Sequence, residues 1–308
     1  MTKSKNDKYT ASALVNISNS PSSDYVGRFA PSPSGPLHYG SLVTALASFL
    51  DARHNHGKWL LRIEDLDFFR NSENASFEIQ KQLKGFRLIW DEEVLFQSSS
   101  TLRYIKALKQ LADSTYLCSC NRKKSRPIYP GTCRKNGADK TKSTAIRLKI
   151  SSDKLGFEDA VFGYLQWQGL KDLGDFIIRR KDGIFAYHLA VVVDDLNQNV
   201  THVVRGSDLL DSTPRQLDIY KKLGFSAPKY CHLPVIVDSN SFKLSKQSLA
   251  KKVDPENAVT ILKLALKDLG QVSPRTENHQ HLLDEAIKNW DLEKIPKKLT
   301  TKAPKTLV

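Results

Sequence analysis

Apolar and polar positions fall into blocks whose spacing changes along the chain. Residues 25–30 (Tyr-Val-Gly-Arg-Phe-Ala) alternate roughly, which predicts a short strand. Pro31, Pro33 and Pro36 end it, because proline has no backbone N–H to offer a ladder. Over 42–54, Leu42, Ala45, Leu46 and Phe49 recur at helical spacing. Residues 58–63 are strand-like again and stop at Glu64-Asp65-Leu66-Asp67. Strand, loop, helix, strand is a βαβ unit, and such units build parallel sheets. Ligands of these sheets sit beyond the carboxyl ends of the strands. That singles out 28–41 and 64–67.

Further along, 78–88 and 101–111 read as helices, and 134–144 as a polar, basic loop. Residues 157–169 and 176–184 alternate like antiparallel strands. The apolar stretch 187–193 fits helix or strand equally. A strand at 200–205, a helix at 214–223 and a last strand at 234–237 follow, then a Ser/Lys loop. Beyond Pro255, Ala258, Ile261, Leu262, Leu264, Ala265 and Leu269 recur as in a helix, and the Lys/Thr-rich end from 294 is expected to fray.

Composition adds a partner. The 308 residues carry 47 Lys and Arg against 33 Asp and Glu, a net charge of +14, with 40% hydrophobic residues. That combination describes a folded, basic protein with a polyanionic ligand such as nucleic acid. No apolar run reaches the roughly 18 residues of a membrane helix, so no membrane partner is expected. Residues 1–23 are polar and lack the apolar core of a secretory signal. They read as a disordered leader on a cytoplasmic protein.

Two segments carry candidate chemistry for nucleotides. Leu37-His38-Tyr39-Gly40-Ser41 directly precedes a predicted helix. A helix N-terminus offers unpaired N–H groups and the positive end of a dipole, which favour phosphate. His38 can donate to a phosphate oxygen, and Gly40 permits close approach. The basic loop Lys243-Leu244-Ser245-Lys246-Gln247 can neutralise triphosphate charge. Together, about 200 residues apart, the two segments resemble the paired signature of the class I aminoacyl-tRNA synthetases. Ser41 stands where many members have a second His, Leu244 replaces the usual Met, and Gln247 the usual Ser. The resemblance assigns ATP to His38, Gly40, Ser41, Lys243 and Lys246, with His38 and Lys246 acting in catalysis and Mg²⁺ bridging the phosphates.

Three longer stretches sharpen the resemblance. Residues 28–38 (Arg-Phe-Ala-Pro-Ser-Pro-Ser-Gly-Pro-Leu-His), 61–67 and 204–214 look like glutamyl-tRNA synthetases. That family implies a Rossmann-type α/β catalytic core over 24–247. An acceptor-like, zinc-binding insertion at about 112–190 would interrupt it, and a short helical region, 248–308, would follow. Only 62 residues follow Lys246, too few for the family's anticodon-binding region. The short form is similar to the glutamyl-queuosine tRNA(Asp) synthetases, which glutamylate queuosine in the anticodon of tRNA(Asp). The partners implied are L-glutamate, ATP and queuosine-containing tRNA(Asp), acting on a monomer.

Glutamate chemistry fits the same residues. An arginine fork donates two parallel hydrogen bonds to a carboxylate, and Arg28 and Arg205 both lie near predicted strand ends. Glu64 supplies the charge an α-ammonium needs, and Tyr187 a hydroxyl donor. The family's glutamate site maps onto Arg28, Phe29, Ala30, Pro31, Ser32, Glu64, Tyr187 and Arg205. Surface salt bridges among Arg62, Glu64, Asp65 and Asp67 are the alternative.

Cys118, Cys120 and Cys133 lie within sixteen residues, and Cys231 far away. Such spacing reads as a zinc site in a reducing compartment, and zinc takes four ligands. The family pattern supplies Tyr129 as the fourth, with Cys231, His232 and water as competitors. One structural Zn²⁺ would stiffen a hairpin near the RNA-facing side. RNA phosphates would meet Arg122, Lys123, Lys124, Arg126, Arg134, Lys135, Arg179, Arg180 and Lys181. The rival functions are a truncated enzyme charging tRNA(Glu), a small-molecule nucleotidyltransferase and a non-catalytic RNA-binding relative.

Overall fold

A computed structural model describes residues 25–121, 128–151, 153–244, 251–304 and 307. The expected leader 1–23, Lys246 and the basic run 122–126 lie outside them. In chain order the elements are β1 (Val26–Phe29), α1 (Tyr39–His54), β2 (Lys58–Ile63), α2 (Ala75–Gly85), β3 (Asp91–Phe96), α3 (Thr101–Gln110), β4 (Thr115–Cys118), α4 (Thr132–Asn136), β5 (Ala145–Leu148) and β6 (Lys154–Asp159). They continue with β7 (Gly163–Gln168), β8 (Phe176–Arg179), α5 (Tyr187–Asn197), β9 (His202–Gly206), α6 (Thr213–Leu223), β10 (Lys229–Leu233), β11 (Val235–Val237), α7 (Ala258–Asp268), α8 (His279–Lys288) and β12 (Thr300–Lys302).

The predicted βαβ unit forms: β1 pairs parallel with β2, and β2 with β3. On its other flank β1 meets the residue before β9. Val26 N–H donates to Thr201 Oγ1 (2.9 Å), and Thr201 N–H to Val26 O (2.9 Å). β9 belongs to a second sheet of order β7-β6-β10-β9, in which β10 runs parallel to both β9 and β6. The result is an α/β fold built on parallel strands. β6 and β7 lie inside the stretch expected as the insertion, yet β6 pairs with β10 (Tyr230 opposite Asp159). A third, antiparallel sheet, β4-β5-β8, carries the cysteines and shares a separate core with α3, α5 and α6.

α1 is the pivot. It packs on β1, β2 and β9 with one side and on α7 and α8 with the other. Burial is therefore nearly all round, from Leu42 and Val43 to Leu50 and Ala52, as expected for a helix with little polar face. Its buried polar groups are satisfied. Ser48 Oγ accepts Trp59 Nε1–H (2.9 Å), and Asp51 accepts Trp290 Nε1–H (3.0 Å) and the Tyr25 hydroxyl. Truncating a side chain such as Leu46 in this core would cost about 2–5 kcal/mol.

The structure departs from the sequence expectations at identifiable places. Residues 187–193 are helical, within α5. The loop expected at 134–144 begins inside α4. β3 is acidic in its first half, and β4 and β5 have four residues each, so none shows a readable period. β10 was also unanticipated. The expected frayed end instead supplies β12, which pairs parallel with β11 (Val235 opposite Thr300, Val237 opposite Lys302). Thr-Thr-Lys has no apolar pattern, and only a distant partner makes it a strand.

Candidate active site

α1 starts at Tyr39, three residues earlier than its apolar spacing suggests, because His38 caps it. The His38 ring accepts the Ser41 N–H at Nδ1 (3.2 Å), which leaves the ring proton on Nε2, 2.9 Å from Ser41 Oγ. A side chain at Gly40 would press at 3.3 Å on both the His38 ring and Ile236 of β11. Gly40 thus brings α1 against the strand that leads into the Ser/Lys loop.

A residue without a sequence signal organises this region. Gln82 of α2 is buried, and its Oε1 accepts Leu37 N–H (2.7 Å) while its Nε2 donates to Leu37 O (3.2 Å) and Val253 O (2.8 Å). Val253 N–H also donates to Leu37 O (3.0 Å), and His38 bridges Lys252. The chain returning from the Ser/Lys loop is therefore stitched to the residues just before α1. Lys243, at the loop's start, pairs with Asp208 (2.5 Å).

Arg28, Glu64, Tyr187 and Arg205 come together around the carboxyl ends of β1, β2 and β9. Each lies close enough to act electrostatically on Tyr187. Arg28 is buried and donates Nε to Asp195 (3.3 Å), with no other side-chain hydrogen bond among the described residues. Arg205 is buried and fixed on three sides. Its Nη2 donates to Thr213 Oγ1 (2.7 Å), its Nη1 meets the Tyr187 hydroxyl (3.5 Å), and its Nε donates to His232 Nε2 (3.1 Å). That last bond puts the His232 proton on Nδ1, facing Asp159 (2.6 Å). Burial keeps His232 below its ordinary pKa despite Asp159, so it is a neutral prop for the guanidinium.

Beneath these groups lies Arg62, fully buried, donating to Asp195 (2.7 Å) and Gln198 (2.9 Å). Two carboxylates, Asp194 and Asp195, close α5, where the helix dipole disfavours them. Burial would raise Asp195, but Arg28 and Arg62 hold it below the usual carboxylate range. Asp194 is raised by burial and held by Gln97 (2.8 Å) and the Tyr104 hydroxyl (2.7 Å). Burial, with Asp195 and Asp194 adding, pushes Glu64 up to about 7 against the pull of Arg62 and Arg28. Its carboxylate makes no direct hydrogen bond among the described residues, so an incoming ammonium would find it available.

The surface salt-bridge alternative fails for Arg62, which is internal. Asp65 accepts Ser98 N–H (2.8 Å), and Asp67 pairs with Arg70 and Arg180 (3.0 Å each). Phe29 lies in the same stretch. Its side chain is buried and stacked on Trp59, 6.3 Å between centroids. Pro31 O accepts Glu64 N–H (3.0 Å), tying the loop after β1 to Glu64, while Ala30 and Ser32 are half-buried beside it.

Cys118, Cys120 and Cys133 converge with all three sulfurs within 4.8 Å. Tyr129 lies beside them. Its oxygen lies 3.5 Å from the sulfurs of Cys118 and Cys120 and accepts Cys133 N–H (2.8 Å). Four zinc ligands at about 2.3 Å would stand roughly 3.7 Å apart, close to the 3.5 Å between Cys120 and Cys133. Arg147 donates to Cys118 Sγ (3.2 Å) and stacks on the Tyr129 ring at 3.7 Å, a cation suited to an anionic cluster. The rival ligands are elsewhere: Cys231 is in the main core, and His232 is committed to Arg205 and Asp159. Among the expected RNA contacts, Arg134 is paired with Asp175 (3.1 Å), Arg180 with Asp67 and Asp182, Lys181 with Ser119 O (2.8 Å), and Arg179 with Gly183 O (3.1 Å). Lys135 is exposed.

Comparison with known proteins gives the family. Residues 25–263 match the family described as tRNA synthetases class I (E and Q), catalytic domain. A protein of Chromobacterium violaceum named Glutamyl-Q tRNA(Asp) synthetase is 44% identical over 284 residues, covering 88% of this chain and 95% of its own. Its namesake in Neisseria meningitidis is 42% identical over 292 residues, 90% and 99% of the two chains. The structure of glutamate-tRNA synthetase from Elizabethkingia anophelis superposes with a TM-score of 0.78 at 24% identity, over 92% of this chain but 68% of that one. Among the described residues, no helix is long and apolar enough to cross a membrane. By sequence and fold the chain belongs to the glutamyl-Q tRNA(Asp) synthetases, within the class I glutamyl- and glutaminyl-tRNA synthetase family.

Proposed function

We propose that the chain activates L-glutamate with ATP and transfers it to queuosine in the anticodon of tRNA(Asp), as a monomer in the cytoplasm. The observation that carries this reading is the grouping, at one sheet edge, of two buried arginines, a tyrosine hydroxyl and a carboxylate with no hydrogen-bond partner among the described residues. That donor set complements a molecule with two carboxylates and one ammonium. Arg28 and Arg205 each take a carboxylate, Glu64 takes the ammonium, and Tyr187 donates its hydroxyl. Pro31 and Ser32, with the backbone of Phe29 and Ala30, form the wall.

Two steps follow. The glutamate α-carboxylate attacks the α-phosphorus of ATP, and pyrophosphate leaves. The start of α1 at Gly40 and Ser41 receives the phosphates, and His38 Nε2–H turns from Ser41 Oγ to a phosphate oxygen. Lys243 and Lys246 neutralise the departing charge. Mg²⁺ bound with ATP would neutralise phosphate charge. A queuosine hydroxyl then attacks the adenylate carbonyl, AMP leaves, and an adenylate phosphate oxygen takes the proton.

The core is proposed to span 24–247, with the cysteine-bearing segment inserted within about 112–190 and a helical region over 248–308. Cys118, Cys120, Cys133 and Tyr129 would hold one Zn²⁺, which fixes the loop between β4 and β5 and takes no part in the chemistry. The charging of tRNA(Glu) is less supported. The curated relatives at 42–44% identity are named for tRNA(Asp).

The test is transfer of labelled glutamate, with ATP, to purified queuosine-containing tRNA(Asp) and to tRNA(Glu). Label on tRNA(Asp) that vanishes without queuosine is expected. Label on tRNA(Glu) alone would establish the charging enzyme, and no glutamate-dependent pyrophosphate exchange would leave a binding protein.

A further inference from the structure

Directly after Asp67 the chain makes a short 3₁₀ turn, Phe68–Arg70. Phe68 and Phe69 are 60% and 73% exposed, and neither ring joins a core cluster. Their centroids are 4.2 Å apart with the rings tilted by 36°. Two adjacent aromatic rings held in water are disfavoured unless something covers them.

The turn is firmly based. Asn71 Nδ2 donates to Asp65 O (2.9 Å), and Ser72 N–H donates to Pro33 O (2.9 Å). Asp67 accepts from Arg70 and from Arg180, at 3.0 Å each. The rings are thus fixed between the loop that precedes His38 and the turn after β8, four and five residues beyond Glu64. Arg70 and Arg180 share the Asp67 carboxylate, and Arg180 also pairs with Asp182 (2.6 Å), so two partly exposed guanidiniums lie beside the rings.

We propose that Phe68 and Phe69 form a stacking platform for one unpaired base of the RNA substrate, a neighbour of the nucleotide that receives glutamate. Arg70 and Arg180 take the adjoining phosphates. The proposal rests on the function given above. A base that enters the glutamate site must leave its stack, so its neighbour loses a stacking partner. An aromatic face replaces that partner for any base, and nearby cations follow the backbone.

The experiment uses the full chain with the paired substitutions Phe68→Ala/Phe69→Ala, Phe68→Leu/Phe69→Leu and Phe68→Tyr/Phe69→Tyr. Glutamate-dependent pyrophosphate exchange without RNA is measured beside transfer to queuosine-containing tRNA(Asp). Exchange should stay within about twofold in all three. The alanine variant should raise the KM for the RNA roughly tenfold or more, the leucine variant nearly as much, and the tyrosine variant little. A wild-type KM in the alanine variant would overturn the proposal. So would full rescue by leucine, which would mean plain apolar contact, or loss of exchange, which would place the rings in the service of the fold. Failure of the wild-type chain to glutamylate this RNA would instead defeat the proposed function, and it registers before any variant is made.

Discussion

The charged centre draws Arg28, Arg62, Glu64, Asp195 and Arg205 from β1, β2, α5 and β9, whereas the cysteine cluster draws all its donors from the single stretch between Cys118 and Cys133. The first is held by charges the protein itself supplies. Asp195 serves two arginines, and the pair His232 and Asp159 serves a third. Among the described residues the second has a core of Cys118, Tyr129 and Cys133, edged by Tyr116 and Cys120. Three thiols and a phenol pack too little apolar area to fix a loop. The proposed metal would hold it, whereas buried ion pairs hold the other. One site is rigid because many elements converge on it, the other because one ion would gather a local chain.

Substitution of Asp195 would break the comparison most strongly. Asp195→Ala leaves Arg28 and Arg62 buried without their shared carboxylate, and a loss of about 3–5 kcal/mol in unfolding free energy is expected. A urea midpoint close to wild type would show that the arginines are held by something else.

Metal removal probes the other region. Chelation, or Cys133→Ser, should release one equivalent of zinc and expose Cys118 and Cys120 to thiol reagents. Global stability should fall by roughly 1–3 kcal/mol, and pyrophosphate exchange should stay within about twofold. A collapse of exchange would tie the cysteine sheet to the chemistry after all.

The smallest stability effect, and the most informative one, belongs to Glu64. Its pKa of about 7 lies above the ordinary value of 4.5, so the folded protein binds this proton more tightly than the unfolded chain. Stability from this group is present below pH 4.5 and is lost as pH rises through 7. Glu64→Gln should therefore stabilise the protein above pH 7, on the order of 1 kcal/mol after solvent screening, while abolishing glutamate activation. In the wild type, kcat/KM for glutamate should fall as pH drops below about 7, because the free carboxyl then carries a proton where the ammonium must bind. A flat profile between pH 5.5 and 8 would remove Glu64 from ammonium binding.

Local chemistry was legible in the chain itself. Prolines that stop a strand, a histidine two residues before a glycine at a helix start, and three cysteines within sixteen residues each act over a few bonds. The sequence therefore determined the first βαβ unit, the histidine-capped helix start, the thiol cluster and the family. Tertiary structure decided the rest. Gln82 looks like any polar residue of a surface helix until Leu37 and Val253 arrive around it. Asp194 and Asp195 look like a helix end, and Thr300 to Lys302 like a tail. What each does depends on partners brought close by folding, because hydrogen bonds and buried charges take their strength from burial and geometry, and neither is written along the chain.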